Sequence, residues 1–220
     1  MDKHGRNMAT SPQYIFSPPA LNETNRWDGL RIGLLGGSFN PPHIGHLHIA
    51  RLARAEFGLD FVWWIVTPQN PLKKTKGMAP YSERYLLVKE MLQQSPRQMP
   101  THLESDLGTK YTHETVAALR KNFPKTDFVW ICGMDNAHIF HKWDEWREIL
   151  NLMPICFIAR PPADNLVRNS PLRQYTNVPH YFATKGRNTN LKNKGVYWLK
   201  ASKMLDISST KIRNKNKLFQ

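Results

Sequence analysis

The chain has 220 residues but only two cysteines, Cys132 and Cys156, which excludes a disulfide scaffold. Both lie in apolar runs, FVWICG and PICFIAR, and neither has a Cys or His partner at zinc-ligand spacing. They are expected to be buried free thiols, in keeping with a reducing, cytoplasmic setting. Long hydrophobic runs are absent. Phe61–Val66 and Ile155–Ala159 fall far short of the ~20 residues a membrane helix needs, so no membrane partner is expected. Residues 1–29 lack the apolar core of a secretory signal. They are polar and broken by Pro12, Pro18, Pro19, Asn22 and Asn25, which predicts a flexible extension. Acidic residues are scarce, 17 Asp and Glu against 31 Lys and Arg, for a net charge of +14. From Arg160 to Gln220 there are thirteen basic and two acidic residues, so most of the excess sits in the last quarter. Such an excess suits a polyanion: nucleic acid, anionic lipid, or a small molecule with several phosphates. Two common phosphate-binding devices are missing, since neither Gly-x-Gly-x-x-Gly nor a Gly-Lys-Ser/Thr loop occurs.

What is present is an alternation of short apolar runs and helical periods from Leu30 onward. RIGLLGG, Phe61–Thr67, Phe128–Cys132, Ile155–Ala159 and Val196–Leu199 read as strands. His102–Asp106 reads as a further short strand. The segment from His43 reads as a helix capped by Gly58, and Thr112–Asn122 as a helix closed by Pro124. Tyr81–Gln94 reads as a helix with Tyr85, Leu86, Val88, Met91 and Leu92 toward a core. Asp144–Met153 reads as another helix, with its acidic residues in the first turn. Residues 160–194 read as a long basic loop, Ser208 onward as a short helix, and 214–220 as a tail. Strands that are apolar throughout predict a parallel sheet covered on both faces, a Rossmann-like doubly wound α/β fold. The expected division is an extension (1–29), one domain (30–213) and the tail.

The first strand leads into Gly36-Gly37-Ser38-Phe39-Asn40-Pro41-Pro42-His43-Ile44-Gly45-His46. Two glycines allow a sharp turn and close approach of a ligand. Peptide N–H groups and the positive end of the following helix then form an anion-binding corner. His43 and His46, three apart, share a face of the first helical turn. Near the other end, Ile207-Ser208-Ser209-Thr210-Lys211-Ile212-Arg213 places N-cap hydroxyls one turn before an arginine, a second anion-binding arrangement.

GGSFNPPHIGH resembles the signature of the His-x-Gly-His nucleotidyltransferases, and ISSTKIR resembles that superfamily's triphosphate-binding motif. From Leu30 to Arg213 the chain is most similar to the bacterial nicotinate-nucleotide adenylyltransferases. Further resemblances are Thr67-Pro68-Gln69-Asn70-Pro71-Leu72-Lys73-Lys74, Tyr81-Ser82-Glu83-Arg84, Lys110-Tyr111-Thr112, Gly133-Met134-Asp135-Asn136, Trp143 with Trp146, and Arg160-Pro161. Two positions depart from the family pattern. Pro71-Leu72-Lys73 stands where Pro-Pro-His usually precedes the basic residue, and Asn40 stands where relatives usually have Asp.

The resemblance implies adenylyl transfer from ATP to the 5′-phosphate of nicotinate mononucleotide, giving deamido-NAD and pyrophosphate. It implies that Gly36, Gly37, Ser38, Phe39, His43, His46, Ser208, Ser209, Thr210 and Arg213 hold ATP, with His43, His46 and Arg213 catalytic. It implies that Asn40, Lys73, Tyr111, Thr112, Asp135 and Trp143 hold the acceptor, Trp143 by stacking on the pyridine ring. Mg²⁺ is expected to ride on the ATP phosphates, with no protein metal site. Phosphopantetheine and glycerol-3-phosphate transferases share the two motifs but lack the Gly-x-Asp and tryptophan segment. An acceptor bearing the amide in place of the acid stays open, because the distinction rests on backbone amides. A class I aminoacyl-tRNA synthetase, which shares His-Ile-Gly-His, would need a longer chain and Lys-Met-Ser-Lys-Ser. An RNA-binding protein would account for the charge but shows no nucleic-acid motif, and no nucleic-acid partner is expected.

Overall fold

Alternate residues of a strand face opposite ways, and here both faces of the strands are apolar. Ile32, Leu34, Phe61, Trp63 and Ile65 turn to one buried cluster. Leu35, Val62, Trp64 and Val66 turn to the other. Only a sheet sandwiched between two helical layers buries both sets. The computed structural model has that architecture and describes residues 17–68, 77–159, 170–184, 189, 191–192, 194–200, 209 and 212.

Seven parallel strands are named β1 (Arg31–Gly37), β2 (Phe61–Val66), β3 (Gln98–Thr101), β4 (Asp127–Gly133), β5 (Ile155–Ile158), β6 (His180–Thr184) and β7 (Val196–Lys200). They lie in the order β3-β2-β1-β4-β5-β7-β6. Helices α1 (Ile44–Phe57) and α2 (Tyr81–Met91) cover one face. The other carries α3 (Leu103–Asp106), α4 (Thr112–Asn122), α5 (Met134–Ala137) and α6 (Trp146–Leu152). Strand order turns outward in both directions from the β1–β4 pair. This opens a crevice at the carboxyl ends of β1 and β4, where ligands bind in such sheets. Gly58 closes α1 in the left-handed conformation, with φ 60° and ψ 42°. Cys132 and Cys156 are buried free thiols. Burial raises the pKa of both.

Five sequence expectations are corrected. Residues 17–29 are not a loose extension: Trp27 is fully buried, edge-on to Phe61 and Trp63 at 5.4 and 4.9 Å. The Thr126 hydroxyl donates to the Trp27 carbonyl at 2.9 Å. The Trp27 indole, with Leu21 packed beside the same core, anchors a segment that is otherwise largely polar. The strand expected at 102–106 is Gln98–Thr101, followed by the short helix α3. Its polar Gln98 is buried because it accepts the Trp64 indole N–H at 3.0 Å. The basic loop expected at 160–194 contains β6, an edge strand paired with β7. On α2, Val88 and Leu92 are buried but Leu86 is 61% exposed, and Arg84 takes a place in the interior. Asp144 and Glu145 precede α6, which starts at Trp146. Among the described residues no helix is long and apolar enough to cross a membrane.

Candidate active site

The corner after β1 is built differently from the glycine turn the sequence suggests. β1 runs through Gly37, and neither Gly36 nor Gly37 has positive φ. Their glycines answer to space. A Cβ on Gly36 would stand 2.5 Å from the Trp130 ring, and one on Gly37 3.1 Å from the Phe39 ring. The left-handed residue is Phe39, with φ 44°. That conformation costs a non-glycine residue roughly 1–2 kcal/mol. Ring contacts hold it, since Phe39 packs on Trp64 and on His46, each at 5.1 Å between centroids.

His43 is the N-cap of α1 and is buried. Its Nδ1 accepts the Gly45 N–H at 3.2 Å. His46 Nδ1 accepts the His43 N–H, also at 3.2 Å. A ring nitrogen that accepts carries no proton, so both imidazoles are held with the proton on Nε2. Each ring therefore offers Nε2–H as a donor, and the rings lie 3.8 Å apart. The first turn of α1 contains no acidic residue. The positive end of the helix is left without a compensating carboxylate there. The Ser209 hydroxyl donates to the Pro41 carbonyl at 2.8 Å, bridging 168 positions of sequence. The two motifs thus meet at one corner. Ser208, Thr210 and Arg213 lie outside the described residues, as does Lys73.

The residues expected to hold the acceptor lie along the same edge of the sheet. Asp135 is exposed in the first turn of α5, directly after β4. Trp143 is half-buried beside Phe140, at 5.2 Å between centroids. Tyr111 and Thr112 open α4. His113 Nδ1 lies 3.5 Å from an Asp144 carboxylate oxygen, linking the start of α4 to the segment that carries Trp143. Glu114 accepts the N–H groups of Lys110 and Tyr111 at 2.9 and 3.0 Å. Those two bonds hold its carboxyl below the usual range. The Tyr111 amide is thereby engaged, whereas the Thr112 N–H opens the helix and has no acceptor within it. Asn40 turns its side-chain amide on a neighbouring loop. It donates to the Gly77 carbonyl and accepts the Ala79 N–H, both at 3.1 Å.

Residues 34–215 match the cytidylyltransferase-like family. A protein of Ruegeria pomeroyi named "Probable nicotinate-nucleotide adenylyltransferase" is 42% identical over 187 residues, covering 84% of this chain and 86% of its own length. A protein of the same name from Cereibacter sphaeroides is 43% identical over 187 residues, covering 83% of this chain and 95% of its own. The chain belongs to the nicotinate-nucleotide adenylyltransferases. Its fold is also that of the Plasmodium falciparum nicotinic acid mononucleotide adenylyltransferase complexed with NaAD. The two agree with a TM-score of 0.62 at 16% identity, over 84% of this chain and 83% of that one.

Two residues take places in the structure that the sequence reading does not give them. Arg84 is 1% exposed and hydrogen-bonds four backbone carbonyls. Its signal is its place on the core stripe of α2, one turn before the buried Val88. Glu104 is 4% exposed, and its Oε2 has no hydrogen-bond partner among the described residues. Burial pushes its carboxyl up to about 7, against the opposing hydrogen bond from the Thr67 side chain. Nothing in LESD distinguishes it from a solvated helix start.

Proposed function

We propose that the chain transfers the adenylyl group of ATP to the 5′-phosphate of nicotinate mononucleotide, forming deamido-NAD and pyrophosphate. The carrying observation is the paired imidazoles at the start of α1, both fixed as Nε2–H donors beside the corner where Ser209 meets Pro41. The acceptor phosphate is already ionised at neutral pH, so no general base is needed. It attacks the α-phosphorus in line, the bond to the bridging oxygen breaks, and pyrophosphate leaves with the electron pair. The task is to bring two anions together and to neutralise the charge gathering on the leaving group. His43 and His46 donate to ATP phosphate oxygens, with Ser208, Ser209, Thr210 and Arg213 on the β- and γ-phosphates. Mg²⁺ enters with ATP, its inner ligands being phosphate oxygens and water. Trp143 stacks on the pyridine ring, Asp135 holds ribose hydroxyls, and the Thr112 N–H meets the nicotinate carboxylate.

The test is pyrophosphate release with Mg²⁺ and ATP, comparing nicotinate mononucleotide with its amide at equal concentration. A strong preference for the acid is expected. Equal or greater activity on the amide would overturn the acceptor assignment, and no release with either would overturn the reaction.

A further inference from the structure

The guanidinium of Arg84 spends four N–H bonds on backbone carbonyls from three separate segments. Nη1 donates to the Ser38 carbonyl at 2.6 Å and to the Thr67 carbonyl at 2.9 Å. Nη2 donates to Pro68 at 2.9 Å, and Nε to Ala79 at 3.0 Å. Ser38 belongs to the corner after β1, Thr67 and Pro68 to the exit of β2, and Ala79 to the approach to α2. No carboxylate forms an ion pair with Arg84 among the described residues. Carbonyl dipoles and the Tyr81 ring, 5.7 Å from the guanidinium carbon, solvate this buried cation without a counter-charge, so its positive charge is not cancelled beside the corner proposed to receive phosphates.

The bond to Ser38 has a geometric consequence. A peptide unit is planar, and its N–H points opposite to its C=O. Holding the Ser38 carbonyl therefore sets the direction of the Phe39 N–H, on the residue held at φ 44°. The Thr67 N–H donates to the Gly37 carbonyl at 3.0 Å, so the same clamp also ties the exit of β2 to the end of β1. Asn40 supports it by bonding Gly77 and Ala79. Lysine could not replace the fork. It has three rotatable donors on a single atom, where the carbonyls are met by three nitrogens in one plane.

We propose that Arg84 is a positioning residue for adenylyl transfer: by clamping the carbonyls of Ser38, Thr67, Pro68 and Ala79 it fixes the donor groups of the β1–α1 corner relative to the exit of β2. This rests on the reaction proposed above. The test compares the parent with Arg84→Lys and Arg84→Met, by kcat and KM for both substrates and by hydrogen exchange of the amides at 37–40 and 67. In folded Arg84→Lys, kcat falls about 100-fold with KM for ATP little changed, the expected cost of misplacing a catalytic corner by about 1 Å. The exchange of those amides quickens while the amides of β4 and β5 stay as in the parent. A kcat within twofold of the parent per folded molecule, or a loss confined to KM, would overturn the proposal. Unchanged exchange at 37–40 would also overturn it. Should Arg84→Met fail to fold, Arg84→Lys decides, since it keeps the stem and the charge. A parent inactive on both mononucleotides would sink the reaction, while the exchange comparison would still test the clamp.

Discussion

Helices α1 and α4 both begin at the carboxyl edge of the sheet, and both meet the N–H of the capping residue in the same way. In each, the side chain three residues into the helix accepts the N–H of the capping residue. At α1 the acceptor is the neutral imidazole of His46, bonded to His43 N–H. At α4 it is the carboxylate of Glu114, bonded to Tyr111 N–H. The backbone accounting is alike and the electrostatics differ. A carboxylate in the first turn cancels the positive end of a helix, whereas a neutral ring satisfies the N–H and leaves the field for a ligand. In the proposed reaction, the end assigned to the triphosphate needs that field. The end assigned to the nicotinate carboxylate needs geometry more than charge.

The sharpest way to break this comparison is to exchange the caps. His46→Glu keeps an acceptor for the His43 N–H, so Tm should stay near the parent value. Turnover should fall by 10³-fold or more, because a donor is lost and an anion is added where phosphate sits (an order-of-magnitude expectation). His46→Ala, which removes the donor alone, should cost roughly 10²–10³ in kcat. Steady-state kinetics on folded variants decides, and a loss below tenfold in either would reject the role of His46.

Glu104 sharpens the contrast from the side of burial, as a carboxyl with none of the N–H bonds that Glu114 enjoys. Its folded pKa is raised to about 7 from the ordinary 4.5. The folded state therefore binds the proton more tightly than the unfolded one between those values. Stability from this group is fully present below pH 4.5 and is lost as pH rises to about 7. Glu104→Gln should match the parent near pH 4 and exceed it at pH 8, by up to about 3 kcal/mol. Denaturant titrations at the two pH values check this, and an equal difference at both would refute it.

At the acceptor end, Trp143→Ala should raise KM for nicotinate mononucleotide by the worth of one stacked ring, about 1–3 kcal/mol. With ATP saturating, an unchanged KM would remove Trp143 from the site. The smallest effect belongs to Glu114→Gln. Its carboxyl is held low by two backbone N–H groups, so its contribution is present above the ordinary carboxylate pKa and fades as pH falls through the depressed one. The variant should lower Tm slightly at pH 7 and leave KM for ATP alone. A rise in that KM comparable to the one Trp143→Ala produces for the acceptor would show that the α4 cap reaches the phosphate end after all.

Much of the fold was legible because its signals are local. The apolar strands β1, β2, β4, β5 and β7, and α4 with its closing Pro124, lie close to where their residue patterns place them. The missed strands β3 and β6 are short, partly polar and supported by neighbours. Gln98 is held by the Trp64 indole, and the exposed Phe182 lies over Trp198 in a parallel-stacked contact at 6.4 Å. In the candidate site, the caps made by His43 and His46 were legible because caps are local chemistry. Gly36 and Gly37 were legible as necessary glycines but for a different reason, the rings of Trp130 and Phe39 that press on them.

The class of sheet, the two candidate phosphate motifs and the family were readable from residue order alone, since period, cap and motif are written in side-chain identity over a few residues. That Ser209 meets Pro41, that Trp27 packs into the core, and that Arg84 lies buried among four carbonyls came from the three-dimensional arrangement. The reason is physical. A backbone carbonyl is the same group at every residue, so a bond from Arg84 to the carbonyl of Ser38, 46 positions away, leaves no mark on the identity of its acceptor.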